Sequence, residues 1–172
     1  MQNVSGAVIS VTDHGFDWKS MDLLNKTSNL RTLQIQSYGI DLPAFFNVIS
    51  SSSVKRLDLS RNKLTGLPKE IGLLQNLDTL LLSDNRIAAI SDGIGDLRKL
   101  KYLDLQSQRE SKGIPDSNEH IDYLTQIPPS IARMTSLRTL LLYGNGSIPT
   151  DDLKKLQNKM PGCEIRFDGE IK

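Results

Sequence analysis

The 46 residues from Val54 to Lys99 state nearly the same pattern twice, as VKRLDLSRNKLTGLPKEIGLLQN and then LDTLLLSDNRIAAISDGIGDLRK. Each copy is 23 residues long. Apolar residues occupy places one, four, six and eleven (Val54, Leu57, Leu59, Leu64; Leu77, Leu80, Leu82, Ile87), and asparagine occupies place nine (Asn62, Asn85). A unit this short cannot bury its apolar face alone, so a fixed period of this length predicts units stacked into a solenoid.

Laid along the chain, the same template finds weaker copies on both sides. Upstream it matches Leu30, Leu33, Ile35 and Ile40 with Tyr38 at place nine, and before that Gly6, Ile9, Val11 and Phe16 with His14 there. Downstream it matches Leu100, Leu103 and Leu105 with Gln108, then Leu137, Leu140 and Leu142 with Asn145, and last Met160, Cys163 and Ile165 with Asp168. Repeat starts are therefore expected at 6, 30, 54, 77, 100, 137 and 160, within a single domain spanning 1–172. One interval is 14 residues longer than its neighbours. The surplus lies in RESKGIPDSNEHID, residues 109–122, which is polar, contains Gly and Pro and lacks an apolar period, so it reads as an inserted loop.

Places four to six predict a short strand whose side chains alternate between the interior and the outer face. The connecting halves carry apolar residues at three- or four-residue spacing (Leu67, Ile71, Leu74; Ile90, Ile94, Leu97), which predicts short helices or turns on the other side. Asp92, Ser130 and Thr150 are the expected helix caps. The place-nine side chain stands where the chain leaves the strand, and its amide can both donate to and accept from backbone groups that the turn would otherwise bury unpaired.

The register, together with the L-P-x-x-I-x-x-L half seen in LTGLPKEIGLLQNL, resembles the leucine-rich repeat family over roughly Ser5 to Asp168. The resemblance is to the 23-residue class of bacterial repeat proteins, plant intracellular Ras-group repeats and animal scaffolds such as Scribble, Erbin and the Ras-suppressor proteins. It implies an α/β solenoid of about seven repeats, with a parallel sheet on the concave face and short helices or turns on the convex face. It also implies a module that binds other proteins on the sheet. Fold alone does not name the partner.

The net charge of +1 gives no global reason to expect nucleic acid or an anionic membrane. One cysteine, Cys163, cannot form an internal disulfide, which fits a reducing compartment. The N-terminal stretch lacks the pattern of a secretion signal, and no apolar run is long enough to span a bilayer. A cytoplasmic location is expected, with a secreted or host-delivered effector left open. For an enzyme the chain offers few parts. His14 falls on an Asn-type place, His120 lies in the insert, and Cys163 replaces a core leucine. No H-E-x-x-H or Cys/His pairing exists for a metal, so no metal, cofactor or catalytic residue is expected.

A binding face is the more productive reading. Places three, five, seven and eight are expected to face outward from the sheet. Arg56, Asp58, Asp84 and Asp104 give a face of mixed sign, while Leu81, Tyr102, Leu141 and Tyr143 make an apolar and aromatic strip of the kind found at interface centres. Glu164, Arg166 and Phe167 are read as the outward residues of the last repeat. Arg109, Glu110, Lys112, Glu119 and His120 of the insert stand beside the strip. Two arrangements are open: a partner covers the strip, or the insert folds over it. The expected function is a non-catalytic, monomeric module that binds one protein partner. The alternative is the recognition domain of a larger enzyme, receptor or bacterial effector, for example of ubiquitin-ligase type.

Overall fold

The computed structural model describes residues 8–12, 31–36, 39–113 and 119–169. Its eleven strands are numbered along the chain. Seven of them, β1 (Val8–Thr12), β2 (Thr32–Gln36), β3 (Arg56–Asp58), β5 (Thr79–Leu81), β7 (Tyr102–Asp104), β10 (Thr139–Leu141) and β11 (Glu164–Arg166), form one sheet in that order. Every neighbouring pair in it is parallel. The fold is the α/β solenoid that the period predicts.

Pairing sets the place-four residues in one line, Leu33, Leu57, Leu80, Leu103, Leu140 and Ile165. The first five are fully buried and Ile165 nearly so. Leu59, Leu82, Leu105 and Leu142 form a second buried column behind them. Each such side chain contributes about 1.5 to 3 kcal/mol relative to exposure, so the stacked columns, rather than any one repeat, hold the chain together.

The last repeat departs from the expected register. Leu140 pairs with Ile165 and not with Cys163, so this repeat begins two residues later than the sequence template places it. The cause is the preceding half-repeat. Two of the connections are α-helices, α1 (Leu42–Ile49) and α2 (Thr150–Lys159). The other three described are five-residue 3-10 helices, Lys69–Leu73, Asp92–Asp96 and Pro129–Arg133. An α-helix rises about 1.5 Å per residue against about 2.0 Å for a 3-10 helix, so α2 uses more residues to cross the convex side. Consecutive 3-10 helices approach closely enough that a Cβ on Gly93 would collide with the Lys69 carbonyl, and one on Gly95 with that of Ser130.

The expected caps do not act as caps. Asp92 and Thr150 are the first residues inside their helices, preceded by Ser91 and Pro149, and neither helix has a side-chain cap bond. Ser130 lies within its 3-10 helix, buried. The cap that forms is Asp41, whose carboxylate accepts from Ala44 N at 3.1 Å ahead of Pro43. Pro43 lacks an N–H in the first turn, where none is needed.

Past the sheet, β4 (Gly66–Leu67) pairs in parallel with β6 (Ala89–Ile90) on the side of the solenoid. The insert is not an irregular loop at its base. Its flanks, β8 (Arg109–Ser111) and β9 (His120–Asp122), form an antiparallel ladder.

Candidate interaction surface

The turn out of each strand is built by the place-nine amide. Asn62 donates to Ile35 O at 2.6 Å, Asn85 to Leu59 O at 2.9 Å, Gln108 to Leu82 O at 2.7 Å and Asn145 to Leu105 O at 2.9 Å. In each case the acceptor is the place-six carbonyl of the preceding repeat. The amide oxygens accept in return: Asn85 from Asn62 N and Leu64 N, Gln108 from Ile87 N, Asn145 from Gln108 N. Gln108, the apparent mismatch, is a full member of this ladder and completely buried. His14 and Tyr38, the upstream place-nine residues, lie outside the described residues.

Place eight turns the backbone through the left-handed region in four successive repeats, at Arg61, Asp84, Ser107 and Gly144, with φ of 61°, 55°, 53° and 71°. This aims place-eight side chains at the rim of the sheet, where Arg61 and Asp84 form an exposed ion pair at 3.4 Å.

On the sheet face, in-register pairing produces two rows. One runs Thr32, Arg56, Thr79, Tyr102, Thr139, Glu164, and the other Gln34, Asp58, Leu81, Asp104, Leu141, Arg166. Arg56 and Asp84 are exposed, and Asp58, Leu81 and Tyr102 are half-buried. Tyr143 is 40% exposed, one of three large apolar groups open to solvent among the described residues, with Leu73 and Ile121.

Two expected binding residues are instead buried. Asp104 and Leu141 are each only 8% exposed. Asp104 accepts from Gln106 N at 3.0 Å, as Asp58 does from Ser60 N at 3.0 Å. Both carboxylates satisfy the N–H two residues on, a local turn bond for which Asp is suited. Leu141 lies between Asp104 and Arg166 in its row, with Tyr143 two residues along on the same face. It belongs to the floor of the strip. Phe167, read as outward, instead packs half-buried against the core. Arg166 is held by Glu164 of its own strand through bonds of 2.8 and 3.0 Å. This pairing raises the arginine's pKa and lowers that of the Glu164 carboxyl below its usual range.

The insert stands at the rim where strands exit, tied to repeats on both sides. Glu110 accepts from Arg86 of the preceding repeat and from the Tyr123 hydroxyl at 2.8 Å. The bond to Glu110 raises the Tyr123 pKa. Asp122 accepts from Ser147 of the following repeat at 2.8 Å, and His120 Nε2 lies 3.1 Å from its other oxygen. Lys112 and Glu119 bridge the ladder at 2.9 Å, and Arg109 is exposed. Ser147, Asp122 and His120 do not form a nucleophilic triad, because the carboxylate and not the imidazole receives the serine proton. Among the described residues no group of three or more His, Cys, Asp or Glu is placed to hold a metal ion. Cys163 is buried, and burial pushes its thiol up to about 11.

A stacked parallel sheet with an Asn/Gln ladder along one edge defines a repeat protein that offers a broad face. The chain belongs to the leucine-rich repeat family: the family model described as a leucine-rich repeat region matches residues 7–159. Receptor like protein 22 of Arabidopsis thaliana is 30% identical over 111 residues, 63% of this chain and 14% of that protein. Disease resistance protein UNI of Arabidopsis thaliana is 33% identical over 161 residues, 89% of this chain and 16% of that protein. A solved leucine-rich repeat protein of Leptospira interrogans superposes with a TM-score of 0.66 at 27% identity, over 92% of this chain and 37% of that one. The chain thus spans a small fraction of the relatives it matches. Leucine-rich repeat domains are generally protein–protein interaction modules and typically non-catalytic. Among the described residues no helix is long and apolar enough to cross a membrane.

Proposed function

We propose that this chain recognises one protein partner through the sheet face over β7, β10 and β11, with the insert hairpin forming one wall of the site. The observation that carries this reading is Tyr143, 40% exposed, on the same face as half-buried Tyr102 and Leu81 and two residues beyond buried Leu141. A tyrosine and arginine cluster on an apolar floor has the composition of an interface centre. The hairpin's bonds run to Arg86, Tyr123 and Ser147 on the rim, which favours an open strip flanked by the insert over one covered by it. Partner captured from native lysate should be retained by Leu73→Ala on the convex side and lost on Tyr102→Ala or Tyr143→Ala. Equal retention by all three variants would defeat the reading.

A second reading makes this the recognition segment of a larger receptor or effector, favoured by the small share of each relative that the chain covers. Sequencing the flanking gene tests it directly. The buried, unpaired thiol of Cys163 favours the cytoplasm for the module in either case.

A further inference from the structure

The overall charge of +1 conceals a strong segregation at the rim where the strands begin. Place two of successive repeats carries Arg31, Lys55, Asp78, Lys101 and Arg138, and the backbone stacks these residues directly. Lys55 N donates to Arg31 O, Asp78 N to Lys55 O, Lys101 N to Asp78 O and Arg138 N to Lys101 O, at 2.8 to 2.9 Å. Arg56, next along the chain, and Lys99, two residues before Lys101, join the same rim. All six cations are exposed. Among the described residues none of the six takes part in an ion pair; Lys99 donates to the Asn76 side chain and Arg138 to the Thr135 and Leu137 carbonyls, which leaves their charge unneutralised. The single acid of the row, Asp78, is half-buried and accepts from the Thr79 hydroxyl at 2.9 Å.

We infer that this rim binds an extended acidic segment of a protein partner, laid across the strands. The inference rests on the sheet face being a protein-binding surface and adds the charge of what it binds. Five strands at about 4.8 Å spacing make a line about 19 Å long, the reach of about six extended residues. Uncompensated charge on one side of a protein steers and orients an oppositely charged partner. The position of Asp78 selects the class of polyanion. A nucleic acid carries a phosphate at every nucleotide and would set one against this carboxylate, whereas a peptide can place a neutral or basic residue there. Among the described residues Tyr102 is the one aromatic side chain bordering the row, too few for a platform of stacked bases.

Fluorescence anisotropy of the full chain with a fluorescein-labelled decaglutamate peptide tests this. Wild type should bind at low salt and weaken steeply as salt rises. The K55E/K101E/R138E variant should lose at least tenfold, while the charge-matched K69E/K154E/K159E variant on the helix side should stay within twofold. The neutral K55Q/K101Q/R138Q variant should fall between wild type and the rim reversal, and it supplies the comparison if the reversal lowers thermal stability. Equal loss in both reversed variants, or no loss in the rim variants, overturns the inference. Tighter binding of decathymidylate or of phosphatidylserine vesicles than of the peptide also overturns it, in favour of nucleic acid or membrane. The peptide has no apolar side chains, so its binding reads the rim alone, whereas capture of the native partner by the tyrosine variants reads the strip. A failed rim and a failed aromatic strip are therefore separate results.

Discussion

At the scale of single residues, the place-nine amides carry more of the architecture than any apolar side chain exposed on the face. Asn85 alone satisfies Asn62 N, Leu64 N, Leu59 O and Leu82 O. Orphaning a buried backbone group costs about 1 to 3 kcal/mol, so Asn85→Leu is expected to destabilise the chain by at least about 3 kcal/mol. Urea midpoints measure this, and Arg61→Ala, which removes only an exposed pair, should change stability by less than about 0.5 kcal/mol. Cys163 gives a second residue-scale expectation. Its folded pKa, about 11, lies above the ordinary thiol value of 9.0 because burial disfavours the thiolate. The folded state therefore holds the proton more tightly. The associated stability is complete below about pH 9 and is lost as pH rises through about 11. Melting temperatures between those values should fall in wild type and fall less in Cys163→Ala.

At the scale of elements, the strands and the ladder were legible in the sequence because both obey the repeat period, while deviations from the period set by geometry were not. Alternation places Asp58, Asp104 and Leu141 on the outer face correctly but says nothing of what occupies them there. Asp58 and Asp104 are engaged by N–H groups two residues on, and Leu141 is shielded in a row whose next member, Arg166, belongs to the repeat whose register α2 shifts. The insert lacked a strand signal because its ladder is held by polar and charged side chains, Lys112 with Glu119 across it and Arg86 and Ser147 at its flanks. Those bonds lie at the base of the hairpin. Replacing residues 113–118 by a two-residue Asn-Gly turn, which suits a tight hairpin, should move the melting temperature by less than about 2 °C on the usual scale for a domain this size. By contrast, the Arg86→Ala, Tyr123→Phe double variant should release the hairpin, seen as faster hydrogen exchange at Glu110 and Ile121.

At the scale of the whole molecule, each repeat touches chiefly the one before and the one after, so stability is close to a sum of units and nearest-neighbour interfaces. Leu80 and Ile165 are equivalent core positions in the place-four column, buried to 0% and 6% exposed. They differ in that β5 has a partner on each side, β3 and β7, whereas β11 has only β10 among the described strands. A Leu80→Ala cavity, costing about 2 to 5 kcal/mol, weakens two interfaces in the middle of the stack and leaves the halves on either side less coupled. An Ile165→Ala cavity weakens one interface at an end, where the strand can fray without the rest. Urea unfolding of Leu80→Ala is accordingly expected to show a lower midpoint together with a reduced slope, the sign that the transition no longer takes the chain as one unit. Ile165→Ala should lose less stability and keep the wild-type slope, with faster hydrogen exchange confined to β11 and the adjoining turn. The reverse ranking would mean that the terminal repeat, rather than the regular centre revealed by the sequence, anchors the fold.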